Sequence, residues 1–81
     1  MPKLHIVDKK LGRSKAWGLC YQGDNLIEID PRQKSKDYFN TLVHELLHEA
    51  FHEMSETQVT RAANLITNNL WLKGYRKVDL R

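Results

Sequence analysis

Apolar residues recur at spacings of three and four between residues 39 and 54: Phe39, Leu42, Val43, Leu46, Leu47, Ala50, Phe51 and Met54. That period marks the buried stripe of an amphipathic helix. Projected at about 100° per residue, the stripe centres near Phe39, Val43, Leu46 and Ala50. Ser35 or Asp37 can cap the start of this helix, and it must stop before Ser55. Ser55-Glu56-Thr57-Gln58 has the form of a capping box, so a second helix begins there. Val59, Ala62, Ala63, Ile66 and Leu70 give it an apolar stripe of its own. Lys73 falls in its last turn and Gly74 just past its end, an ordinary helix stop. The short connection makes the two helices antiparallel neighbours.

The first half of the chain reads differently. Residues 4–7 (Leu-His-Ile-Val) form a short apolar run, expected as a strand. Residues 8–15 are charged, contain Gly12 and read as a loop. Residues 16–21 (Ala-Trp-Gly-Leu-Cys-Tyr) suit a strand, with Gly18 marking a bulge or a close backbone approach. Gln22-Gly23-Asp24-Asn25 is a turn signal, and residues 26–30 (Leu-Ile-Glu-Ile-Asp) follow as a partner strand ended by Pro31. The expected fold is therefore α+β: a small antiparallel β-sheet, made of the hairpin plus the N-terminal strand, packed on the core face of the first of two antiparallel helices. An exposed sheet edge can hold an extended peptide by strand addition; the alternative is a hairpin that is scaffold only.

Composition narrows the class. Eighty-one residues make one domain, residues 1–81, near the lower size limit for a self-sufficient core, so a bound metal would add stability. Apolar residues are 41% and charged residues 28%, ordinary for a globular protein. No apolar run is long enough to span a membrane, and the N-terminus lacks the apolar stretch of a signal peptide. The single cysteine, Cys20, forbids an internal disulfide framework and reads as a small buried hydrophobe in a reducing compartment. Net charge is +3, with basic residues at both ends; that is mild, and a solvated face accounts for it more simply than nucleic-acid binding.

One stretch carries chemistry: His44-Glu45-Leu46-Leu47-His48, the pattern His-Glu-x-x-His. Residues four apart lie one turn above each other on a helix, so His44 and His48 can point ring nitrogens at one ion. They fall on the side opposite the apolar stripe. Two imidazoles suit Zn²⁺, and a catalytic zinc keeps a position for water that a neighbouring glutamate can deprotonate; Glu45 is the candidate general base. The plain alternative is a set of polar residues on the wet face of an amphipathic helix. Catalytic zinc has three protein ligands. Glu56, at the start of the second helix and in projection near its inward stripe, is favoured as the third, because an unpaired carboxylate on that stripe would be costly. His52 continues the spacing of four, but on an unbroken helix it lies about 12 Å along the axis from His44, so it could share an ion only if the helix broke before it, and no glycine there invites a break. His5, in the first strand, reads as structural.

Residues 42–76 resemble the C-terminal half of small metallopeptidases encoded by bacteriophages and prophages. Their pattern runs His-Glu-x-x-His, a short turn, an acidic residue after Ser, then a helix ending Leu-Trp-x-x-Gly-Tyr-Arg. Here these are His44, Glu45, His48, Ser55, Glu56, Leu70, Trp71, Gly74, Tyr75 and Arg76. Trp17-Gly18 and Ile29-Asp30-Pro31-Arg32 extend the likeness to residues 16–76. More distantly the chain is similar to SprT-like and ImmA-like peptidases. The resemblance implies a minimal, gluzincin-like zincin with zinc on two histidines and one glutamate. His52 stands where the family often has proline. It also implies a cytoplasmic protein of a bacterial host.

The expected function is zinc-dependent hydrolysis of a peptide or protein substrate, with Glu45 as general base and Tyr75 or Arg76 as a possible oxyanion partner. The rival is a zinc-stabilised module that binds a host protein or nucleic acid without hydrolysis. A fourth ligand such as His52 would favour that rival, since structural zinc sites are closed by four.

Overall fold

The second strand of the hairpin becomes the centre of the molecule's sheet. The computed structural model describes residues 3–12 and 16–78. Its strands are β1 (His5–Asp8), β2 (Gly18–Tyr21) and β3 (Leu26–Ile29), and its helices α1 (Ser35–Ala50) and α2 (Glu56–Leu72). β2 and β3 pair antiparallel through the turn at residues 22–25, where Gly23 (φ 91°) and Asn25 (φ 53°) take the left-handed conformations that glycine and asparagine tolerate best. β1 pairs parallel to β3 on its other side, giving the order β1-β3-β2. The architecture is α+β as expected, with one change: the sheet is mixed, not wholly antiparallel. The segment after β1 runs out through β2 before returning as β3, and that long connection is what a parallel pair requires. The loop read over residues 8–15 and the basic tail over residues 75–81 lie partly outside the described residues.

Strand alternation decides which side chains meet α1. Gly18 opposes Ile29 and Cys20 opposes Ile27, so these four share one face. Ile27 and Ile29 are fully buried there. On the other face Tyr21 donates to Glu28 at 2.7 Å, and Lys9 pairs with Glu28 at 3.3 Å. At the end of β3 the buried Asp30 carboxylate accepts from the backbone N–H of Leu11 (2.9 Å) and from Arg32 through its backbone N–H, Nε and Nη2. The Arg32 guanidinium holds the Asp30 carboxyl well below the usual carboxylate range, with the two backbone donors assisting.

α1 lies between the sheet and α2 and is covered on two sides. The sheet does not rest on the apolar stripe of α1, as the pattern suggested. It meets the adjacent face, where Gly18 approaches Thr41 and Glu45, Cys20 reaches Glu49, and Tyr38 donates to Asp8. The stripe side meets α2, with Phe39 edge-on to Trp71 at 6.3 Å. On α2, Val59, Ala63 and Thr67 are buried at the i, i+4, i+8 spacing of a helix seam. Two sequence expectations for the helix ends hold. Ser55 caps α2 in a complete capping box with Gln58. Gly74 (φ 90°) ends it, with Tyr75 N–H bonded to Leu70 C=O and Gly74 N–H to Trp71 C=O, a Schellman stop. The start of α1 differs: Lys34 occupies the cap and no side chain bonds there, while Ser35 and Asp37 lie inside the first turn, where Asp37 complements the helix dipole.

Candidate metal centre

The end of α1 creates the site. Phe51, with φ −132° and ψ 81°, takes the chain out of the helix without any glycine, and the turn it starts brings α2 back alongside. The first turn of α2 then overhangs the C-terminal half of α1. Glu56 Oε1 lies 2.8 Å from His44 Nε2, and Glu56 Oε2 lies 2.9 Å from His48 Nε2. The two Nε2 atoms are 3.2 Å apart, with the rings inclined at 62°. All three donor groups fall within 4.8 Å of one another, and no fourth histidine, cysteine or carboxylate joins them among the described residues.

The donor set is one that could hold a metal ion such as zinc. Ligands about 2.0–2.1 Å from a tetrahedral ion stand roughly 3.3 Å apart, close to the spacing of the two imidazole nitrogens. Two ring nitrogens facing each other are adverse unless a proton or a cation lies between them. Glu56 supplies the negative charge, and each imidazole can present a lone pair.

Glu56 does not sit where the helical projection placed it. Its side chain is 70% exposed, because the buried seam of α2 begins one turn later at Val59. Its company is the two imidazoles, not an apolar surface. Distance along one helix is not what keeps His52 out of the cluster. α1 stops at Ala50, so no continuous helix links His44 to His52; the ring is exposed in the turn, beside Phe51, Met54 and Gln58 and outside the cluster. Tyr75 and Arg76 lie away from the cluster. The Arg76 guanidinium stacks on Trp71 at 3.5 Å and donates to the Trp71 and Tyr75 carbonyls, closing the end of α2. His5 is exposed on β1 and takes no part.

The cluster opens into a cleft of about 340 Å³ between β2 and the two helices. Its β2 wall is Gly18, Leu19 and Cys20, and Gln22 donates to the His48 carbonyl at 2.9 Å, tying the hairpin turn to the end of α1. Glu45 lines the cleft beside the imidazoles and is the most buried residue of α1, with about 9% of its surface exposed. Its carboxylate makes no hydrogen bond or ion pair among the described residues. Burial pushes its proton affinity above the ordinary carboxylate value, with Glu56 adding to that and the two imidazoles opposing it. Cys20 is half-buried in the cleft wall and not a core hydrophobe; its thiol donates to Glu49 at 3.4 Å. Burial and that acceptor push the thiol up to about 11. Sequence reasoning passed over Thr41 and Glu49. The available signal was their spacing of four on either side of Glu45, which puts all three on one face of α1.

Fold and site together define an α+β protein with a two-histidine, one-carboxylate cluster beside a buried glutamate. Comparison with family models, with curated proteins and with solved structures found no match.

Proposed function

We propose that this protein is a zinc-dependent metallopeptidase, a minimal gluzincin-like zincin of the kind carried by bacteriophages and prophages, hydrolysing a peptide or protein substrate. The observation that carries the reading is the convergence of His44, His48 and Glu56 next to Glu45, whose carboxylate has no partner among the described residues, in an open cleft. His44 Nε2, His48 Nε2 and a Glu56 oxygen would hold the metal. When bound, zinc supplies a water of lowered pKa and polarises the scissile carbonyl.

Glu45 is the general base. Its carboxylate is close to the cluster but outside the set of converging donors, so it is free to accept the proton of the attacking water and return it to the leaving amine. The free edge of β2 supports an extended substrate. Trp17 C=O accepts from Asp30 N–H at 2.8 Å, so residues 17, 19 and 21 point their backbone groups at β3. The N–H and C=O of Gly18 and Cys20 therefore face the open edge, available for strand addition. Three gathered donors, not four, favour this reading over a closed structural zinc site.

No helix among the described residues is long and apolar enough to cross a membrane. The proposed setting is the cytoplasm of a bacterial host, in keeping with one free cysteine. Two measurements test the function: elemental analysis of the purified chain, and turnover of a library of fluorescence-quenched peptides. Zinc at one per chain, with hydrolysis lost in Glu45→Gln while zinc is retained, is the expected result. A chain that takes up no metal at micromolar zinc removes the proposal.

A further inference from the structure

A carboxylate acting as a base must be held in one place, and Glu45 has no hydrogen bond to hold it. What confines it is the surface of β2. Gly18 is not among the residues with positive φ, so its backbone does not call for glycine. The requirement is space. A Cβ at position 18 would lie 2.6 Å from Thr41 Cγ2, 3.0 Å from Glu45 Cγ and 3.2 Å from Glu45 Oε2. The first distance is a hard clash, and the other two show how closely the bare Cα faces the glutamate.

Thr41 is itself fixed. Its hydroxyl donates to Gln33 Oε1 at 2.7 Å, and Gln33 Nε2 donates to the carbonyls of Asp30 at 2.9 Å and Trp17 at 3.3 Å. This chain ties α1 to the end of β3 and to the residue preceding β2. With the hydroxyl committed to Gln33, the Thr41 methyl rests against Gly18, one helical turn from Glu45.

We propose that Gly18 and Thr41 are positioning residues for Glu45. The bare Cα of β2 and the threonine methyl form a seat that keeps the carboxylate directed toward the His44–His48–Glu56 cluster. What the position is used for rests on the metallopeptidase reading; the position itself does not.

The test is the double variant Gly18→Ala/Thr41→Ser. Serine removes the clashing methyl but keeps the hydroxyl bridge to Gln33, while the new Cβ still crowds Glu45. A purely structural glycine would be rescued in every respect. The proposal expects rescue of the fold and of zinc affinity, measured by melting and by competition with a chelator, but not of Glu45. The ¹³C resonance of the Glu45 carboxyl, assigned by its loss in Glu45→Gln, should move. Peptide turnover should fall by about 100-fold in kcat with KM unchanged, the cost of a misplaced group near the reacting atoms. Thr41→Ser alone introduces no clash and should also move the Glu45 resonance, by leaving the seat open on one side. An unmoved resonance in Thr41→Ser and in the double variant overturns the proposal, as does wild-type turnover in the double variant. If the wild-type chain cleaves no peptide, the metallopeptidase reading fails, and the carbon resonance still decides whether Gly18 and Thr41 seat Glu45.

Discussion

Glu56 Oε1 lies 2.8 Å from His44 Nε2, bridging two helices at the turn that separates them. The contact joins a side chain that is mostly in water to one that is mostly covered: Glu56 is 70% exposed and His44 19%. An exposed pair of this kind adds little to folding by itself. Its value lies in what the two atoms, with His48, can hold between them.

Metal affinity should therefore rank the three donors above every other polar residue of the turn. His44→Ala and His48→Ala should abolish stoichiometric zinc. Glu56→Ala should weaken it by more than the 10–100-fold that loss of a supporting hydrogen bond typically causes. His52→Ala should leave it unchanged, because that ring lies outside the cluster. Titration against a competing chelator gives all four values. Since binding is coupled to folding, stripping the metal should also lower the melting temperature of the wild-type chain and leave that of His44→Ala unaffected.

The cap of α2 links stability to the site. Ser55 accepts from Gln58 N–H at 3.1 Å, and Gln58 Oε1 accepts from Ser55 N–H at 2.9 Å, immediately before Glu56. Ser55→Ala should cost about 1 kcal/mol of stability, measured by urea unfolding. The same change frays the turn that presents Glu56, so zinc affinity should fall as well. A stability loss with unchanged affinity would mean that Glu56 needs no help from the cap.

Acid should act through Asp30. Its carboxyl is held far below the unfolded value by Arg32 and by backbone donors, so its contribution is fully present above about pH 4 and is lost as pH falls further. Urea midpoints measured from pH 6 down to pH 2 should decline on the acid side in the wild type. Asp30→Asn should be less stable at neutral pH and should show a flatter decline.

Cys20 should be slow to react. With its thiol pushed up to about 11 by burial and by Glu49, little thiolate exists at pH 8. Alkylation by iodoacetamide at that pH should run on the order of a hundredfold slower than for a free cysteine. Glu49→Gln should speed it, because the change removes the negative charge facing the sulfur.

Much of this protein can be read directly from its residues. Local signals act over a few positions, and local physics decides them: the capping box at Ser55, the glycine stop at Gly74, the Gly23–Asn25 turn and the period of the two helices. The pairing of His44 with His48 belongs to the same group, since one helical turn sets it. What the tertiary structure decided is whatever depends on how the elements meet. The parallel seat of β1 against β3 leaves no local mark, because it depends on where a long connection returns. The apolar stripe of α1 showed that the helix has a buried side but did not show that a second side, carrying Thr41, Glu45 and Glu49, is covered by the sheet. That covering, made possible by the missing side chain at Gly18, buries Glu45. The turn at Phe51 sends His52 into solvent and brings Glu56 over the imidazoles; projection onto a single ideal helix could give neither, because the chain there leaves the helix and the angle between α1 and α2 sets the distances.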